Sequence, residues 1–192
     1  MEKKVLKLLK GIDRPGIKNL IDFMQSSTYF IDPASANNHS NFPGGLCVHS
    51  YSDLEVAYKL RKAFDLDLSD DSLIITALTH DFCKIGTYEI LEKNRMNVFG
   101  SWEKVKYYAN KKTPGGLAHG EKSARMVSKI IELTDAEYEA ISNHMALWSY
   151  GVDRYALGQC YEENPLALIL AMADQYSTFQ IERTYKEGEI PF

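Results

Sequence analysis

Apolar residues recur at three- and four-residue intervals along most of this 192-residue chain and nowhere alternate convincingly, so it is built to bury helix stripes rather than sheet faces. Spacing and turn residues together predict helices near 2–10, 16–26, 46–64, 71–83, 102–109, 120–132, 135–146 and 164–182. Asp13-Arg-Pro-Gly16 parts the first two, and a long polar loop over 32–45 precedes the third. Ser69 or Asp70 is placed to cap the fourth, and Thr134 with Glu137 three residues on spells a capping box. Segments 86–100, 110–118 and 148–164 read as irregular loops, the last carrying Trp148, Tyr150, Tyr155 and Tyr161 toward its exposed side. The expected fold is all-α and a single structural domain. Within it, 1–36 supplies N-terminal helices packed on a core over 37–182, and 183–192 forms a polar tail on the surface.

Charge and cysteine content narrow the function classes. A net charge of −4 gives no electrostatic footprint for duplex nucleic acid or anionic lipid, although a local basic patch is compatible with it. Cys47, Cys83 and Cys160 are odd in number and lack CxxC spacing, which argues against a disulfide framework or a thiolate zinc site and fits a reducing cytoplasm. No apolar run is long enough for a membrane span.

The five histidines, His39, His49, His80, His119 and His144, all fall in loops or near the ends of predicted helices. Asp81 follows His80 directly, and Asp174 sits inside Ala-Leu-Ile-Leu-Ala-Met-Ala-Asp, where an unpartnered carboxylate would be costly to bury. A cation nearby removes that cost, and imidazoles and carboxylates converging from several helices are what a hydrolytic divalent site needs. Each histidine alone is better explained by packing and a backbone hydrogen bond; the joint pattern is what shifts the weight.

The order His49, His80-Asp81, His119, His144, Asp174 resembles the HD-domain phosphohydrolase superfamily, in the members with two extra histidines. Supporting stretches are Pro43-Gly-Gly-Leu-Cys-Val-His49, His80-Asp-Phe-Cys-Lys84, His119-Gly-Glu-Lys-Ser123 and Ala171-Met-Ala-Asp174, and the likeness covers about 37–182. It implies an HD-type helical bundle with a central metal site. His49, His80, Asp81 and Asp174 would hold one ion, His119 and His144 a second, and Asp81 would bridge them. The cofactor is then one or two divalent ions, with manganese, iron, nickel, cobalt, magnesium and zinc all compatible.

The implied activity is hydrolysis of a phosphate mono- or diester, with a small phosphorylated compound, a nucleotide foremost, as substrate. Asp81 and Lys84 are the catalytic candidates, Lys84 as a phosphate-holding charge. His39 matches a histidine in the HD modules of certain bacterial exoribonucleases, and Trp148 with Tyr150 could stack on a base. Lys122 and Arg125 could approach substrate, though a solvated surface explains them better. Asp53, one turn after His49, is either an acceptor for that imidazole or an exposed helix residue, and Cys83 reads as packing.

Two alternatives stand beside this reading. One is a nuclease on single-stranded RNA or DNA, motivated by His39 and by Lys104, Lys106, Lys111 and Lys112; the other is a nucleotide-binding module whose metal is only structural. A homo-oligomer is compatible with all three.

Overall fold

The computed structural model describes residues 1–111, 117–149, 151–186 and 188–192. Among these, eight α-helices build the body: α1 (Glu2–Leu9), α2 (Ile17–Ser26), α3 (Gly45–Ala63), α4 (Asp70–Thr79), α5 (His119–Val127), α6 (Asp135–Asn143), α7 (Arg154–Glu163) and α8 (Pro165–Tyr176). The polar residues at the predicted boundaries act as caps. Ser69 Oγ accepts from the Ser72 amide, Thr134 and Glu137 exchange both capping-box bonds, and Asn164 caps α8 ahead of Pro165.

The centre of the bundle is α3. It is buried around most of its circumference, from Leu46 and Cys47 through His49, Ser50 and Asp53 to Ala57, and it lies between α4 and α8. α6 packs on both α8 and α5, and the core joins Leu54, Ile75, Leu78, Phe82, Ile169 and Leu170. α3 starts abruptly because Gly45 meets the chain at residue 40: a Cβ there would lie 1.9 Å from the Ser40 carbonyl oxygen. Only glycine allows that approach, and it fixes the entry of the helix that carries His49.

The all-α expectation needs correction. β1 (Tyr88–Met96) and β2 (Trp102–Asn110) form a two-stranded antiparallel hairpin, with Tyr88 opposite Asn110 and Met96 opposite Trp102. The segment expected as a helix over 102–109 is therefore β2, and most of the expected loop 86–100 is β1. Trp102, Val105 and Tyr108 repeat at helical spacing, but the segment carries three aromatic residues and a valine, all strand-favouring, and a turn decides the outcome. Asn97 Oδ1 accepts from the amides of Phe99 and Ser101, and Gly100 takes a positive φ of 78°, closing the hairpin.

The stretch 148–164 is also more ordered than a loop, because Asp153 caps α7 by accepting from the Tyr155 and Ala156 amides. Trp148 and Tyr155 are exposed there, Tyr161 is half-buried with its hydroxyl donating to the Asn143 carbonyl, and Tyr150 lies outside the described residues. α8 ends in a π-helical turn, Ser177–Ile181, after which the chain runs back along residues 40–41: the Ser40 amide donates to the Arg183 carbonyl, and Asn41 pairs with both backbone groups of Tyr185. Phe192 ends against Tyr108 of β2. No helix among the described residues is long and apolar enough to cross a membrane.

Candidate metal centre

His49 lies in the first turns of α3, His80 is the C-cap of α4, His119 is the first residue of α5, and His144 is the C-cap of α6. The bundle brings these helix ends to one place. With His39 from the loop before α3, the five rings form a continuous row, neighbouring centroids being 4.9 Å (His39–His49), 5.0 Å (His49–His80), 4.7 Å (His80–His144) and 5.5 Å (His144–His119) apart. α5 can bring His119 this close because Gly120 presses on α6: a Cβ there would lie 2.2 Å from the Ser142 carbonyl oxygen.

Each of the three fully buried rings is oriented from its Nδ1 side. His80 Nδ1 donates to the Ala77 carbonyl at 2.8 Å, His144 Nδ1 to the Ile141 carbonyl at 2.7 Å, and His49 Nδ1 to Glu182 Oε1 at 2.7 Å. A proton held on Nδ1 leaves Nε2 as a lone pair, and these bonds aim the Nε2 atoms inward. His49 Nε2 and His80 Nε2 are 3.1 Å apart, too close for both to carry hydrogens.

Around that pair stand three carboxylates. Asp53 Oδ2 is 3.5 Å from His49 Nε2 and 3.3 Å from His80 Nε2; Asp174 Oδ1 is 3.4 Å from His49 Nε2. Asp81 divides its two oxygens. Oδ2 faces His49 Nε2 at 3.2 Å and His80 Nε2 at 3.5 Å and takes the Lys84 ammonium at 2.5 Å. Oδ1 faces His119 Nε2 at 2.5 Å and His144 Nε2 at 3.6 Å.

The electrostatics follow from burial and crowding. Burial drives the Asp53 carboxyl up to about 7 against the pull of His49 and His80. Burial also works against the Asp81 carboxylate, but Lys84, His80 and His119 together hold it well below the usual carboxylate range. His119, opposed by burial, is raised to about 9 by Asp81, and burial lowers His144. His39 falls to about 4 through burial and the neighbouring His49.

The donor set fits a divalent cation. Both Asp53 oxygens and His144 Nε2 are buried without a hydrogen-bond partner, an arrangement that costs free energy unless a cation meets them. His49, Asp53, His80 and Asp174 offer ligand atoms mutually within 4.8 Å, and the separations of 3.1 to 3.5 Å quoted above match the spacing of roughly 3 to 3.5 Å set by metal bonds near 2.1 Å. Further groups that could hold an ion are His80, Asp81 and His144, and Asp81, Cys83 and His119.

Beside the centre opens a cavity of about 550 Å³ lined by His39, Asp81, Lys84, Tyr88, His119, Trp148, Asp174 and Phe179, among others. Residues 48–178 match the family model described as HD domain. The chain belongs to the HD domain family. Membership places it in the metal-dependent phosphohydrolase superfamily, and the buried histidine and aspartate cluster agrees with an HD-type divalent-metal site. Neither the curated proteins nor the solved structures contain a match.

Of the residues picked out from sequence, His49, His80, Asp81, His119, His144 and Asp174 meet at the HD centre, and His39, Lys84 and Trp148 reach its cavity. Lys122 and Arg125 on α5 are not among the described lining residues, and Arg125 is exposed. Lys104 and Lys106 line a different depression beside Gly188 and Phe192, the Lys111 ammonium donates to the Gly86 carbonyl, and Lys112 lies outside the described residues.

Sequence reasoning left Asp53 between two readings, and the structure buries it completely beside His49. Its position four residues after His49, on the same helix face, was the available signal. Glu182 was missed. It stands 133 residues from the imidazole it orients, and no local spacing connects them.

Proposed function

We propose that this HD-domain protein hydrolyses the phosphate ester of a nucleotide with divalent metal held by His49, Asp53, His80, Asp81, His119, His144 and Asp174. The observation that carries this reading is the division of Asp81, one oxygen turned to His49 and His80 and the other to His119 and His144, the disposition a bridging carboxylate requires. Bound there, divalent ions supply Lewis-acid polarisation of a phosphoryl oxygen and a nearby water of lowered pKa.

The chain's own groups do the rest. Glu182 and the Ala77 and Ile141 carbonyls hold the imidazoles in the tautomer that presents Nε2 to the centre. Lys84 reaches the cavity as a fixed positive charge, its ammonium kept protonated by Asp81 despite burial, and is placed to hold a substrate phosphate oxygen. His39 lines the same wall with a buried, unpartnered Nε2 and can hydrogen-bond the substrate.

Support for the nucleotide comes from the aromatic residues of the same cavity. Trp148 and Phe179, 67% and 63% exposed, stand with ring centroids 6.0 Å apart on the cavity wall, and exposed aromatic faces beside a phosphate site suit a base.

The test is hydrolysis of mononucleotides, cyclic nucleotides, an activated phosphodiester and short RNA by protein loaded with manganese, cobalt or magnesium. Turnover of a nucleotide that is lost in Asp81→Ala is expected. Metal-loaded protein that binds nucleotide but cleaves no phosphate ester would overturn the reading in favour of a binding module.

A further inference from the structure

Ser177 opens the π-helical turn Ser177–Ile181 that ends α8, is completely shielded from solvent, and carries an Oγ with no hydrogen-bond partner. A serine or threonine buried in a helix commonly gives its hydroxyl proton to the carbonyl four residues back. Ser50, Thr76 and Thr79 do so, at 3.0, 2.7 and 2.7 Å from the carbonyl oxygens of Leu46, Ser72 and Ile75. Ser177 does not, and the carbonyl in the same position, that of Ala173, accepts from the Ser177 amide. A hydroxyl buried in this way costs free energy unless another acceptor receives it.

The acceptor stands on α3, against which the turn packs. Burial pushes the Asp53 carboxyl up, and the Ser177 hydroxyl, with His49 and His80, is among the groups that pull it back. Asp53 is itself completely buried with neither oxygen hydrogen-bonded, and it turns Oδ2 to His49 Nε2 at 3.5 Å and His80 Nε2 at 3.3 Å. Oδ1 is thus the oxygen that remains for a hydroxyl. The next residue of the turn already makes a bond of this kind, Thr178 Oγ1 donating to Asp174 Oδ1 at 3.3 Å. Asp53 and Asp174 belong to one group of ligand atoms with His49 and His80.

We propose that Ser177 is a positioning residue for the ion on the His49 side, its hydroxyl donating to Asp53 Oδ1 so that Oδ2 is held toward the ion. The inference rests on the proposed reading of Asp53 as a metal ligand. A carboxylate that is free to turn loses orientation when it binds, and a hydroxyl on one oxygen removes that freedom in advance. With Thr178 on Asp174 and Glu182 on His49, the segment 177–182 then orients three ligands of one ion.

The experiment is titration of the full chain with cobalt, reading affinity and the visible ligand-field spectrum, in wild type, Ser177→Ala, Asp53→Asn and the double variant. Ser177→Ala is expected to weaken one bound ion by about tenfold and to change its spectrum, since losing an outer partner of a ligand costs roughly 10- to 100-fold. The urea midpoint of the chelated protein should stay at the wild-type value, which separates this loss from a defect in folding. In the Asp53→Asn background the same substitution should change affinity by less than about twofold, because the hydroxyl acts through Asp53. Ser177→Cys, close in size with a weak donor, should fall between wild type and Ser177→Ala and supplies a second variant if the first fails to fold. Wild-type affinity in Ser177→Ala beside weakened binding in Asp53→Asn would overturn the role of Ser177 and leave Asp53 a ligand. An equal loss from Ser177→Ala in both backgrounds would overturn it as well. Wild-type affinity in Asp53→Asn would overturn the ligand reading of Asp53, and the Ser177 assignment with it.

Discussion

Glu182 Oε1 accepts a hydrogen bond from His49 Nδ1 at 2.7 Å, joining the chain beyond the last helix to the first histidine of the metal centre. The carboxylate is kept ionised: burial opposes it, but the bonds from His49 and Ser40 hold its pKa below the usual glutamate range. A carboxylate behind a ligand imidazole fixes its tautomer and raises its basicity. Glu182→Gln is expected to weaken metal binding by about 10- to 100-fold with the helical content unchanged, as read by metal titration beside circular dichroism. Unaltered affinity would mean that Glu182 only anchors the closing segment through Ser40.

Metal binding should stabilise the fold strongly. Asp53 is buried with neither oxygen hydrogen-bonded, and its carboxyl, driven by burial to about 7, disfavours the ion-free fold as the pH rises from 3.8 through that value. Metal at 100 times its dissociation constant adds about 2.7 kcal/mol. For a domain of this size that is a rise in Tm of about 5 to 10 °C. Scanning calorimetry at pH 8 with and without chelator measures it. Asp53→Asn should raise the Tm of chelated protein and abolish most of the metal-dependent shift. An equal shift in wild type and variant would remove Asp53 from the ligand set.

What could be seen from sequence divides along physical lines. Caps and amphipathic stripes are local, so α3, α4, α6 and α8 were legible, as were the histidines near the ends of the first three. Asp174 announced itself as a charge in an apolar run. The hairpin was not legible because Trp102, Val105 and Tyr108 satisfy a helical spacing, and only the Asn97 turn, which bonds Phe99 and Ser101, breaks the tie. Glu182 and Phe179 were invisible for a different reason. Both depend on how the π-helical turn at Ser177–Ile181 redirects the chain, and nothing in residue spacing reports that.

Gly120 sets the distance between two histidines without touching either one's chemistry. With a Cβ at 2.2 Å from the Ser142 carbonyl oxygen, Gly120→Ala must push α5 away from α6. His119 begins α5 and His144 caps α6, so the pair on the Asp81 Oδ1 side opens. The expected result is a stability loss of about 1 to 3 kcal/mol from overpacking, with one of two metals bound more weakly. Chemical denaturation and metal titration of the same variant check both. Native stability with native stoichiometry would show that α5 has room to shift.

Away from the metal, Arg14 forms a two-pronged bridge to Glu137, Nη1 to Oε2 at 2.8 Å and Nη2 to Oε1 at 2.9 Å, and the Ser72 hydroxyl donates to Oε1 at 2.8 Å. One buried carboxylate thus ties the α1–α2 turn, the first turn of α4 and the capping box of α6. Burial alone would raise the Glu137 pKa, but the bonds from Arg14, the Thr134 amide and Ser72 lower it below 4.5. A depressed folded-state value means that the unfolded chain binds the proton first. The contribution is therefore fully present above 4.5 and is lost as the pH falls through the folded value. Arg14→Ala leaves the carboxylate buried with half its partners and is expected to cost about 3 kcal/mol in urea denaturation at pH 7. Glu137→Gln should flatten the acid limb of the stability profile relative to wild type, the metal-centre carboxylates being common to both proteins. Parallel acid limbs would assign the acid sensitivity to the metal centre alone.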